Sequence, residues 1–175
     1  MKAIGVVRRI DDLGRIVIPK EIRKTLKIKD GESVEIFVDR ENIILKKYHP
    51  FGGAPDFYKD YVEAIYSELG GNIMIADRDR IVAVSGELSN DCFDKPISKQ
   101  LEDIIHSRSV VICKENSNVS VAEDHFVDGS YVIAPVISNG DEMGAVIILF
   151  MNKIIDDFSV KTGIIASKFL EKYVE

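Results

Sequence analysis

Apolar and polar positions alternate from Ala3 to Ile10 and from Arg15 to Pro19, the two-residue period of strands. Asp11-Asp12-Leu13-Gly14 between them is a turn, with Gly14 free to take positive φ. Pro19 suits the first position of a helix, and the helix predicted over Lys20–Leu26 sets Ile22 and Leu26 on one face. Glu21 falls in its first turn and bases in its last, the order that the helix dipole favours. Val34, Ile36 and Val38 then alternate with Glu35, Phe37 and Asp39, and beyond a polar turn at Arg40-Glu41-Asn42 the run Ile43-Ile44-Leu45 closes a second hairpin. The front of the chain therefore reads ββαββ.

Two prolines and two glycines between Tyr48 and Pro55 stop every periodic pattern. A linker over 51–55 is predicted there, dividing a domain at 1–50 from one at 56–175. In the second, Phe57, Tyr61, Ile65 and Leu69 recur every four residues, a helix that Gly70-Gly71 ends. Strands at 72–76 and 81–84 flank Asp77-Arg78-Asp79-Arg80, an amphipathic helix spans Ile97–Ile105, and a short strand covers Val110–Cys113. Tyr131–Ser138 and Met143–Phe150 form a hairpin around Asn139-Gly140-Asp141, the strongest turn signal in the chain. A last helix begins at Asp156 or Asp157, with Ile165, Phe169 and Tyr173 on one stripe and Leu170 and Val174 beside it. Helices around strands of this order make an α/β module of the sensory kind.

Charge changes the picture more than composition does. The chain has 175 residues, 46% apolar and 30% charged, which places it among globular proteins of one or two domains. Residues 1–50 carry twelve Lys or Arg against eight Asp or Glu, a net of +4, while residues 51–175 carry eleven against twenty-one, a net of −10. A basic front and an acidic back suggest that only the front meets a polyanion, although charge alone fits a solvated basic face equally well. So small a front domain buries only about 60% of its surface and supplies no more than ~3–5 kcal/mol from its own core. Without a disulfide or metal it needs a second chain, so dimerisation is expected from size alone. The apolar runs are too short to cross a bilayer and Met1-Lys2-Ala3 opens no secretion signal, so a cytoplasmic protein is expected.

The segment from Gly5 through Arg8-Arg9-Ile10-Asp11-Asp12-Leu13-Gly14-Arg15-Ile16-Val17-Ile18-Pro19 to Leu26, continued by Glu35–Asp39 and Ile43–Tyr48, resembles the AbrB family of swapped-hairpin transition-state regulators. The resemblance implies an interleaved dimer whose hairpins close one small barrel on double-stranded DNA. By position in the motif it assigns DNA contact to Arg8, Arg15, Arg23 and Lys24, with Arg9 as a helper. Related sequences often have a second arginine where Lys24 stands; a lysine keeps the charge but loses the two-pronged donor, so a phosphate contact is expected there. It further implies a sequence-tolerant regulator of transcription, activating and repressing sporulation genes from the nucleoid of a forespore, with DNA shape read alongside base edges. Arg8 and Arg15 also bracket Asp11 and Asp12, and surface ion pairs of little energetic weight remain an alternative reading. The other functional alternative is an antitoxin, since the same fold neutralises toxins through a disordered tail.

Behind the linker the order of elements resembles a GAF domain, a sheet of about six strands with helices on one side. A pocket for an unidentified small-molecule effector is expected between that sheet and the segment 87–128, which contains the polar stretch Lys114-Glu115-Asn116-Ser117-Asn118. The apolar stripes of the first and last helices exceed what one sheet face covers, and the resemblance implies that these helices join two dimers into a tetramer. No cofactor, metal site or catalytic residue is expected: His49, His106 and His125 are scattered and no glycine-rich phosphate loop is present. Cys92 and Cys113 are too few for a disulfide framework or a zinc site and are expected as reduced thiols.

Overall fold

In the computed structural model the chain divides into two units, 1–48 and 49–175. The structure describes residues 5–174 apart from 27, 29 and 32; residues 3 and 4, the start of the first predicted strand, lie outside them.

The first unit contains helix α1 (Lys20–Thr25) and the hairpin β1 (Val34–Asp39) and β2 (Asn42–Lys47), paired antiparallel with Phe37 opposite Ile44. Pro19 stands at the N-cap of α1, with Glu21 in the first turn and Arg23 and Lys24 in the last. The expected front hairpin is different. Its turn forms, with Gly14 N donating to Asp11 O at 2.9 Å and Asp11 N to Arg15 O at 3.1 Å. The flanking segments 5–10 and 15–19 carry no strand ladder, because a strand needs a partner edge and the chain supplies none here. None of the unit's described residues is buried. Val7 is 91% exposed and Val38 77%, although their alternation is that of core-facing strand residues.

The second unit is built on one five-stranded antiparallel sheet in the order β4-β3-β7-β6-β5. Its strands are β3 (Asn72–Ala76), β4 (Ile81–Ser85), β5 (Val111–Ala122), β6 (His125–Ser138) and β7 (Asp141–Phe150). Helices α2 (Pro55–Leu69) and α5 (Asp157–Tyr173) cover one face, and the short α3 (Ser89–Cys92) and α4 (Lys99–Ser107) the other. Alternation along the central strands feeds both layers: Ile73, Ile75, Val132 and Ile148 face α2 and α5, while Met74, Ile133, Ile147 and Leu149 face α4. Helices on both faces, and five strands rather than six, correct the one-sided arrangement expected from sequence. The reason is visible in β3, where all five residues are buried because strands flank it and helices cover both sides.

The hairpin at Asn139-Gly140 forms as predicted, both residues taking positive φ (51° and 86°) as a two-residue turn requires. Ser98 caps α4 by accepting from Leu101 N, and Asp156 caps α5 by accepting from Ser159 N. The polar stretch 114–118 is not a loop. It lies in edge strand β5, where a bulge between Cys113 and Ser117 interrupts the pairing with β6. The bulge and the charged side chains blunt an edge that would otherwise pair with another chain.

Helix stripes also differ from expectation. The sheet side of α2 is Tyr58 and Val62, and that of α5 is Val160, Ala166 and Leu170, with Gly163 letting the helix sit against Val132 and Ile148. The predicted stripes lie one position round. Phe57 stacks on Tyr173 with ring centroids 4.2 Å apart, and Tyr61 on Phe169 at 5.4 Å. Each helix is apolar over a wider arc than the sheet can cover; on α5 the smaller residues go inward, and Phe57 and Tyr61 of α2 zip against Phe169 and Tyr173 of α5 along the outer seam.

Candidate nucleic-acid interface

One of the proposed contacts, Arg15, is tied to a carboxylate of its own turn. Asp11 Oδ1 accepts the backbone N–H groups of Leu13 at 3.0 Å and Arg15 at 2.8 Å, and Oδ2 accepts Nε of Arg15 at 2.7 Å. An aspartate bonding to its own following backbone makes the turn that Asp11-Asp12-Leu13-Gly14 announces. The backbone N–H of Arg15, and then its guanidinium, hold the Asp11 carboxyl below its ordinary value of 3.8. By the sign of that shift the turn is supported above about pH 4 and loses support as pH falls further. Since Nε is the nitrogen used, the two terminal nitrogens of Arg15 remain for a phosphate or a guanine edge.

Arg8, Arg9, Arg15 and Lys24 are all exposed. Arg8, Arg9 and Lys24 have no acidic partner among the described residues. Arg23 departs from the group. Its Nη1 forms an ion pair with Asp30, its Nε is buried without a partner, and it lines a surface hollow of about 310 Å³ with Val17, Ile18, Ile28 and Val34. A guanidinium spent on the loop after α1 is shared between holding that loop and reaching outward. Of the five proposed contacts, two arginines are thus paired within the unit, Arg15 with Asp11 and Arg23 with Asp30.

In the second unit, apolar side chains pack between the sheet and the segment 87–128. Leu101 and Ile105 of α4, Val119 and Val121 of β5, and Met74, Ile133 and Ile147 of the sheet pack into one continuous buried cluster. A cavity of about 400 Å³ lies elsewhere, among Tyr66, Leu69, Asn72, Glu87, Phe150 and Lys153. Lys153 spans it, its Nζ 4.0 Å from the Phe150 ring centre and 3.4 Å from Leu69 O. Cys92 is buried, and burial pushes its thiol up to about 11, which makes it unreactive. Sequence reasoning passed over one constellation, His49 with Asp77 and Asp79, because its members come from the residue that opens the second unit and a turn 28 residues on.

Residues 55–175 match the family described as stage V sporulation protein T C-terminal, transcription factor. Stage V sporulation protein T of Bacillus subtilis (strain 168) is 44% identical over 177 residues, spanning 100% of this chain and 99% of that protein. The chain belongs to the stage V sporulation protein T family. Within that family's architecture the front half has relatives of its own. Residues 7–52 match the family described as antidote-toxin recognition MazE, bacterial antitoxin. The B. subtilis transition state regulatory protein AbrB is 58% identical over 50 residues, covering 29% of this chain and 52% of that protein. The second unit has the GAF fold: the GAF domain of an Acinetobacter phosphoenolpyruvate-protein phosphotransferase superposes with a TM-score of 0.57 at 11% identity, covering 69% of this chain and 81% of that one.

Proposed function

We propose that this member of the stage V sporulation protein T family regulates transcription as an interleaved dimer, gripping double-stranded DNA with Arg8, Arg9, Arg15 and Lys24 of both chains and with Arg23 in a secondary role. The observation that carries the reading is the first unit itself, which exposes Arg8, Arg9 and Arg15 and buries none of its described residues. Apolar strand residues such as Val7 and Val38 lose their cost of exposure, about 25 cal/mol per Å² of apolar surface, when a second copy covers them. The unladdered segments 5–10 and 15–19 gain a partner edge from the same event. Doubling the chain doubles the positive face.

The reading extends to a protein without catalytic activity that acts in the cytoplasm on sporulation genes in both directions, at sites sharing little base sequence. A full-length relationship to a sporulation regulator supports this over the antitoxin alternative, as does a tail that is a folded GAF unit instead of a disordered segment. Titrating the full chain onto a mixed-sequence duplex at increasing salt is the test. With roughly four phosphates neutralised per chain, log K is expected to fall against log salt with a slope of about −7. A slope near zero would remove DNA as the partner.

The second unit is proposed to join dimers into tetramers through the outer face of α2 and α5, which leaves Phe158 and Ile165 each 68% exposed beside the aromatic seam. Two linked DNA-binding units raise each other's effective concentration, so assembly modulates affinity, and a small-molecule effector that biases assembly would do the same. Ile165→Asp is expected to leave the fold intact, since the side chain is on the surface, and to reduce the native mass from four chains to two. A tetramer that survives this change would place the contact elsewhere.

A further inference from the structure

The residue that opens the second unit and the β3–β4 turn bring together three donors that DNA binding does not use. His49 Nδ1 lies 3.3 Å from Asp77 Oδ2, and Asp79 adds a third donor so that the three ligand atoms fall within 4.8 Å of one another. Asp77 is 2% exposed. Its Oδ1 accepts the backbone N–H groups of Asp79 at 2.6 Å and Arg80 at 2.7 Å, which fixes the carboxylate and turns Oδ2 toward His49. A carboxylate this buried is costly unless it is paired or coordinates a metal. Among the described residues no lysine or arginine pairs with it; Arg80 reaches to Asp94 instead, at 2.7 Å.

We propose that His49, Asp77 and Asp79 bind one zinc-like divalent cation, with water completing its shell. Ligands held about 2.0–2.1 Å from a tetrahedral ion stand about 3.3–3.4 Å apart, which is the His49–Asp77 separation and is long for an N–H···O bond of usual length about 2.9–3.0 Å. The imidazole selects a transition ion over calcium or magnesium, and two carboxylates neutralise its charge. The backbone bonds to Oδ1 supply the outer-shell orientation that such sites need. Asp79 lies on the same turn and offers the third ligand. The ion cross-links the first residue of the unit to a turn 28 residues on, so occupancy stabilises the folded unit and pins the chain where it leaves the DNA-binding segment.

The test is a Zn²⁺ titration of the chelator-stripped full chain by calorimetry, with elemental analysis after gel filtration, in parallel with His49→Ala and Asp79→Asn. The His49 side chain is 41% exposed, so its replacement is compatible with folding, and circular dichroism checks both variants. One Zn²⁺ per chain is expected, bound at least about tenfold more weakly by each variant. The Co²⁺-loaded chain is expected to show no thiolate charge-transfer band, which separates this site from Cys113. Absence of stoichiometric binding, unchanged affinity in either folded variant, or a sulfur signature would each overturn the assignment.

Discussion

Alanine at both Arg8 and Arg15 is expected to weaken duplex binding by the full chain about a thousandfold at roughly 0.15 M salt, while the native mass stays unchanged. The magnitude follows from counterion release at about −0.9 per phosphate: a dimer that loses four of roughly eight contacts moves from a slope of about −7 to about −3.6, and the difference sets the loss at that salt. Both side chains are exposed, so their removal takes little apolar area from the dimer. The Asp11–Arg15 pair supplies the competing explanation, because it braces the turn in the free chain. An exposed pair of this kind is worth about 0–1 kcal/mol. If bracing were the whole role of Arg15, the double variant would show a slightly less stable turn and an unaltered salt slope. Fluorescence anisotropy across a salt series distinguishes the two outcomes by slope, independently of the absolute affinity.

What could be read from the chain divides along a physical line. Features set by residues close in sequence were legible: the Asn139-Gly140 turn, the start of the last helix at Asp156 or Asp157 and the stop at Gly70 are each dictated by one or two side chains and their own backbone. Features set by what lies across a layer were not. Helical spacing of large apolar residues predicts the stripe of α5 on Ile165, Phe169 and Tyr173, yet the sheet accepts Gly163 and Ala166, which let the helix axis come close to Val132 and Ile148. β5 was cut short at Cys113 because residues 114–118 are polar, and only pairing with β6 across a bulge makes them strand.

The same division runs through the site. Arg8, Arg9, Arg15 and Lys24 are singled out by their positions in the front motif, and all four side chains are exposed, so none needs a tertiary partner to be available. The tether on Arg23 could not, since Asp30 reaches it only after the chain has turned beyond α1. The front segments alternate without forming a ladder in the single chain, because alternation records only that one face is to be covered, not which chain covers it.

Alanine at Gly144 is expected to cost on the order of 3 kcal/mol or more and to lower the melting temperature of the second unit by about 10 °C, whereas alanine at Gly140 should cost only about 1 kcal/mol. Both glycines have positive φ, so backbone strain is common to the two and Gly144 adds close approach to it. Gly140 has φ +86° in the hairpin turn with open space around it, so a Cβ there meets conformational strain alone. Gly144 sits beside the bulge in which β6 and β7 shift register, and a Cβ would fall 1.9 Å from Ala76 O and 3.0 Å from Cα of Asp77. Those are backbone atoms of the adjacent strand, paired to β7 through Ala76 and Ala145, so neither side can yield without breaking that ladder. Because Asp77 follows directly, the displaced strand end would also carry its carboxylate away from His49. Thermal melts of the two full-length variants, with Zn²⁺ binding measured on each, test both steps. Equal melting losses would mean that β3 and β7 do not approach as closely as their pairing requires.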